Sequence, residues 1–182
     1  MWKYENLNPI QHELLAKNTI DLQGEVDSSM ALYVRESLVR LSAKGSPDVK
    51  ITITSTGGDV DCGLDIFDYI RLYPGKTTGV VVGYAKSMAA IILQACTHRT
   101  ASAHSRILIH HISRNQLSLN VLRSRKELRA LKSAMEKSQA RLYEVLSGKT
   151  GKSIGQIKRE CEKDNNMFAE EALSFGLIDE IV

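Results

Sequence analysis

The sequence is poor in aromatics, cysteine, proline and charge of one sign, and each shortage removes a class of function. Aromatic residues make up 5% of the chain, which leaves no platform on which nucleic-acid bases would stack. Twenty-four basic and 21 acidic residues are interleaved and leave a net charge of +3, too weak a bias for a nucleic-acid partner. The three cysteines, Cys62, Cys96 and Cys161, are odd in number and far apart. They fit neither a disulfide framework nor a zinc site and read as idle thiols in a reducing compartment. No apolar run approaches the roughly 18 residues of a membrane span. The start, MWKYENLNPIQHELL, has no apolar stretch of the signal-peptide kind, so a soluble cytoplasmic protein is expected. Pro9, Pro47 and Pro74 are the only prolines, each in a loop or terminal context, and no repeat or linker is visible. With 43% hydrophobic residues in 182, one domain over 1–182 with a substantial core is expected.

What is present reads as alternating strands and helices. Thr19–Leu22 is a strand candidate. Asp27, Ser28 and Ser29 offer caps for a helix reaching Ala43, with Ala31, Val34, Leu38 and Leu41 spaced by three and four. Gly45 and Pro47 stop it. Val49–Thr54 alternates and is β-branched, as a strand should be, and a Gly57-Gly58 turn follows. Leu64–Leu72 reads as a helix, Thr78–Val82 as a strand, Ser87–Ala95 as a helix and Arg106–His110 as a strand. Largely apolar strands alternating with helices predict an α/β fold.

Leu117–Ser147 reads as one long helix, with a seam of Leu128, Leu131, Met135, Leu142 and Val145. Charged residues such as Arg125, Lys126, Arg129, Lys132 and Lys137 fill its other faces. Two readings stand: a solvated charged face, or an arm packed on a neighbouring subunit, since so long a helix outreaches a small core. Gly148 and Gly151 end it, Ser153 caps a short helix, and Ala169–Phe175 forms another before GLIDEIV.

The chemistry concentrates at GYAKSMAA, Gly83 to Ala90. Ser87 lies where an apolar strand becomes an apolar helix. A helix start presents free N–H groups and partial positive charge, so a serine there has donors beside it that stabilise an oxyanion. Small Ala85 and Ala89 leave room for a substrate. The simpler reading of Ser87 is a helix cap. A nucleophilic serine needs a base. His110 ends RILIH, where a chain exits a sheet. His111 is next to it, but neighbours on a strand point to opposite faces, so only one of them faces a given site. Asp164, in EKDNN, is an acid placed to orient an imidazole, although spacing alone does not select it.

GGDVDCGLDIFDYI, GYAKSMAAIIL, SRILIHH and ECEKDNNMFAEEALSFGLIDEI together resemble the proteolytic subunit of the ClpP protease family, from about Asn18 to Val182. The resemblance implies a ClpP/crotonase-type α/β fold: stacked β-sheet turns flanked by helices, with a protruding handle over about 111–148. It implies Ser87 as nucleophile, His110 as general base and Asp164 as its orienting partner. The N–H groups of Gly58 and Met88 would form the oxyanion hole, and an extended substrate would bind along Gly57, Asp59 and Val60. No metal or organic cofactor is called for. The partners implied are further copies of the chain in a heptameric ring, unfolded polypeptide or peptide substrates, and a AAA+ unfoldase; neither nucleic acid nor membrane is among them.

The chain departs from that family in five places. Thr56 replaces a proline before Gly57-Gly58. HISRNQLSLN follows the histidine where a glycine-rich segment is usual, which bears on whether two rings stack. About 18 residues precede the first strand, which bears on unfoldase docking. Lys86 stands directly before Ser87; a Ser–Lys dyad is disfavoured because adjacent helical residues diverge by about 100°. Asp59 follows the glycines and would favour basic or polar substrate residues, or simply be solvated. Alternative readings are a catalytically idle ring subunit and an unfoldase-independent maturation protease; an acyl-CoA enzyme of the crotonase type would have no use for a Ser-His-Asp set.

Overall fold

The computed structural model describes residues 7–113, 118–164 and 166–182. It opens on a helix not anticipated from sequence, α1 (Pro9–Ala16). Asn8 and Gln11 form a reciprocal capping box at 2.9 Å in each direction, with Pro9 at the first helical position. That signature was readable but lies in a segment with little apolar patterning. Then come β1 (Thr19–Val26), α2 (Ser28–Ala43) capped by Asp27, β2 (Val49–Gly58), α3 (Val60–Leu72) capped by Asp59, and β3 (Thr77–Lys86). The second half follows as α4 (Met88–Leu93), β4 (His98–Ala101), β5 (Arg106–Leu108), α5 (Leu119–Arg123), α6 (Arg125–Thr150), α7 (Ile154–Cys161), β6 (Asn166–Phe168), α8 (Ala169–Phe175) and β7 (Glu180–Ile181). This is the α/β architecture expected.

β1, β2, β3, β4 and β7 form a parallel path in that order, and β5 joins the far half of β3. Burial alternates along β2, with Val49, Ile51 and Ile53 in the core and Lys50 exposed between them, so the side chains on the covered face must be apolar. Ile20, Ile51, Ile53 and Val81 are accordingly fully buried, each isoleucine contributing about 2 kcal/mol by leaving water. α2 packs on β1 and α3, and α4 packs on α3, β2 and β3.

Three expectations are corrected. β3 does not stop at Val82: it passes through Gly83, whose φ of +79° a side-chain-bearing residue rarely adopts, and pairs first with β4 and then with β5. β5 ends at Leu108, so His110 lies beyond the strand. The long helix is two helices, α5 and α6, divided at Ser124, whose hydroxyl caps α6 by accepting from the Glu127 N–H at 3.2 Å; the predicted start, Leu117, lies outside the described residues. Its seam is buried only at the C-terminal end: Leu142 is in the core and Val145 packs against it, while Leu128 is exposed.

The C-terminus is fastened by Arg99, a buried arginine on β4. Its Nε and backbone N–H both donate to Asp179 Oδ2, at 3.0 and 2.8 Å, and Nη2 donates to Asp179 Oδ1. Nη1 donates to Gln94 Oε1 and to the Gly176 carbonyl. Desolvation alone would raise the Asp179 pKa, but the Arg99 hydrogen bonds and charge outweigh it and hold the carboxyl below its ordinary 3.8. A depressed carboxyl stabilises the fold fully above its unfolded value and loses that contribution as pH falls through the lower folded value. Asp179→Ala is therefore expected to cost about 2–3 kcal/mol, the low end for a broken buried pair because the carboxylate is one-third exposed. Urea unfolding at pH 7 measures that loss, and the difference from wild type should shrink below pH 4.

Candidate active site

The site is assembled by the short strand β5 and its two neighbours. On one side β5 runs parallel to β3, with Leu108 opposite Lys86. The Ser87 N–H, one residue on, donates to the Leu108 carbonyl at 2.9 Å. On the other side β5 runs antiparallel to β6, with Leu108 opposite Asn166. Extending that register by two residues in each strand sets position 110 opposite position 164. His110 Nδ1 and Asp164 Oδ1 are indeed 3.9 Å apart, the imidazole mostly buried and the carboxylate three-quarters exposed. That is an ion-pair distance rather than a hydrogen bond.

Ser87 has φ 55° and ψ −123° at the junction of β3 and α4. A non-glycine residue in this region is strained by about 1–3 kcal/mol, and such strain concentrates at functional sites. The hydroxyl does not cap α4, which removes the simpler reading of Ser87. Among the described residues it has no hydrogen-bond partner within the chain. Met88 opens α4, so its N–H has no acceptor inside the helix, and its side chain is buried.

Gly57 lies against this junction. A Cβ there would stand 2.6 Å from the Lys86 carbonyl, 2.7 Å from Ser87 Cβ and 2.8 Å from the Met88 nitrogen. Gly58 is equally constrained on its other side, where a Cβ would run into the Val26 backbone. β2 thus ends with bare main chain pressed against both β1 and the serine. Thr56, in place of proline, is exposed and remains part of the strand.

Ser87 and His110 line one cavity of about 350 Å³, together with Gly57, Gly58, Val60 and Met88. Ile91 and Ile109 line it as well, and α6 supplies Gln139, Leu142 and Leu146 as a wall. Among the described residues that line it, the ionisable side chains are Glu25 and His110. A second hollow of about 380 Å³ shares Gly58, Val60 and Ile112 with the first and continues past Asp59 and Asp61 to Leu131 and Met135. The α6 wall was not recognised as part of the site from sequence. Its signal is the seam containing Leu142, which in the sequence marks one stripe of a long helix and not a cavity wall.

Several candidates resolve locally. Asp59 Oδ1 accepts from the Cys62 N–H at 2.8 Å, and that bond holds the carboxyl below its usual range. Capping α3 is therefore part of its role, whatever it does beside the hollow. Lys86 places its ammonium over the Tyr84 ring, 5.4 Å from the centroid. His111 turns away from the cavity and meets Tyr143, Nδ1 to OH at 2.7 Å. Burial pushes the thiols of Cys96 and Cys161 up to about 12 and raises that of Cys62 as well, so none is a competing nucleophile. Among the described residues no group of three His, Cys, Asp or Glu could hold a metal ion, and no helix is long and apolar enough to cross a membrane.

The family model for Clp protease matches residues 3–182, nearly the full chain. The chain belongs to the Clp protease family. A curated relative, the ATP-dependent Clp protease proteolytic subunit 3 of Rhodococcus jostii (strain RHA1), is 33% identical over 172 residues. The match covers 93% of this chain and 83% of that protein. Membership makes this Clp-family chain a peptidase at the level of the family. The fold it implies is the α/β arrangement described above.

Proposed function

We propose that the protein is a serine endopeptidase in which Ser87 attacks a peptide carbonyl, His110 is the general base and Asp164 orients it. The observation that carries this reading is the convergence of Ser87 and His110 on one cavity, with Nδ1 of the imidazole turned towards Asp164. With Nδ1 on that side, Nε2 is the nitrogen left for the serine hydroxyl. As Ser87 adds to the carbonyl, its proton passes to His110, which later delivers it to the leaving amine. The oxyanion would accept from the N–H groups of Gly58 and Met88, and each such donor is worth about 2.7–4 kcal/mol of barrier. Water then attacks the acyl-enzyme while the neutral His110 takes its proton and returns it to the Ser87 oxygen as the ester bond breaks. The two connected hollows beside Gly58 suit an extended peptide laid along Gly57, Asp59 and Val60.

The relative is named a proteolytic subunit of an ATP-dependent protease. This supports copies of the chain closing into a ring, heptameric by the family resemblance, around a chamber that receives unfolded polypeptide from an ATPase partner. The exposed first half of α6 is available for contacts between copies. A fluorophosphonate probe tests the chemistry, since it reacts only with an activated serine. Covalent labelling of wild type at Ser87, with none of His110→Ala, is expected, and native mass measured on the same sample reports the assembly. An assembled wild-type protein that stays unlabelled would fit instead an idle ring subunit and would sink the catalytic assignment.

A further inference from the structure

His110 leaves the sheet with little to hold it. β5 ends at Leu108, and the Asp164 carboxylate, at 3.9 Å, makes no hydrogen bond to the ring. The segment is instead gripped from α6. The Ile112 N–H donates to Gln139 Oε1 at 2.5 Å. The buried Tyr143 places its hydroxyl 2.7 Å from His111 Nδ1, with the two rings edge to face and their centroids 6.0 Å apart. Lys158 lies over the same tyrosine ring. Within 109–113, Ile109, His110, Ile112 and Ser113 all line the cavity; His111 is the residue turned onto the helix. Burial raises the pKa of the Tyr143 hydroxyl, which leaves it a neutral donor at neutral pH.

We infer that Tyr143 is a positioning residue: by holding His111 on the α6 side, it keeps His110 facing Ser87 across the cavity. His110 and His111 share one peptide unit, so releasing His111 from Tyr143 frees that peptide to rotate and carry the base away from the hydroxyl. Misplacement of a reacting group by about 1 Å costs up to about a hundredfold in rate. The inference rests on the Ser87–His110 reading above and adds a residue that touches neither substrate nor the reacting atoms.

The test compares fluorophosphonate labelling rates with kcat and KM on a short peptide. Tyr143→Phe, which keeps the ring and removes the hydroxyl, should lower the labelling rate and kcat together by about tenfold, with KM nearly unchanged. His111→Ala should do the same, and the double variant should be no worse than either single one, because both remove one bond. His111→Asn, whose side-chain oxygen falls where Nδ1 was, should restore most of the rate. Labelling of Tyr143→Phe at the wild-type rate, or losses that multiply in the double variant, would overturn the inference. If Tyr143→Phe fails to fold, His111→Ala against His111→Asn carries the same test, and equal rates for that pair overturn it. A wild-type protein that does not label overturns the Ser87 reading and this inference with it; a labelled wild type beside an equally labelled Tyr143→Phe overturns this inference alone.

Discussion

Replacing Ser87 with alanine is expected to abolish peptide hydrolysis, a loss of about 10⁵–10⁶-fold, while leaving the fold intact. The hydroxyl makes no hydrogen bond within the chain among the described residues, so its removal breaks nothing structural. Glycine at the same position separates chemistry from stability. Serine and alanine both carry a Cβ through φ 55° and ψ −123°, and only glycine adopts that conformation without strain. Ser87→Gly should be as inactive as Ser87→Ala yet more stable, by about 1 kcal/mol once glycine's extra chain entropy is counted. In a chain of this length that is a rise of about 2–4 °C in melting temperature. Equal melting temperatures for the two variants would mean that the backbone at Ser87 relaxes. Residual hydrolysis by both would mean that the nucleophile is elsewhere.

The second large effect is expected at Gly57. A methyl group there meets the Lys86 carbonyl, the Ser87 side chain and the Met88 nitrogen, all within 3 Å, and the backbone must also keep a φ of +85°. Strain and overpacking together should destabilise Gly57→Ala by about 2–4 kcal/mol. What survives folded should have lost about 10²–10³ in kcat, because the clash displaces the proposed oxyanion donor at Met88. Gly45→Ala is the control. Its φ is +94°, but nothing lies within 4 Å of the added carbon, so it carries the conformational cost without the collision. Urea unfolding and peptide hydrolysis on both variants check the pair. A Gly57→Ala protein as active as Gly45→Ala would show that the serine junction tolerates displacement.

The strands and helices with strong periodicity were legible in the sequence because burial of one face demands it: VKITIT and the Ala31–Leu41 spacing leave little choice. The short pieces were not. β4, HRTA, and β6, NMF, contain too few residues for any alternation to show, and they are strands because a neighbour supplies the hydrogen bonds. The division at Ser124 was readable from Ser124 and Glu127, which have the spacing of a helix cap, but the hydrophobic seam on either side of it suggested continuity. At the candidate site, Ser87 and His110 stand out as residue types at element boundaries, while Asp164 is selected only through the family resemblance. Their convergence depends on which strand pairs with which, and a linear pattern does not encode that. Tyr143 was invisible for the same reason: its partner His111 lies 32 positions away.

β5 is three residues long and is the shared ruler for everything proposed to react. Counting from Leu108 places the serine along one edge and the aspartate along the other. Spacing errors therefore matter very unequally along this polypeptide. One residue added between Arg106 and His110 would throw all three groups out of step at once, whereas the same addition in the exposed turn at Lys44–Gly45 would leave their alignment untouched. Engineers wishing to graft a tag or a sensor into this scaffold have their permissive and forbidden addresses from that asymmetry alone.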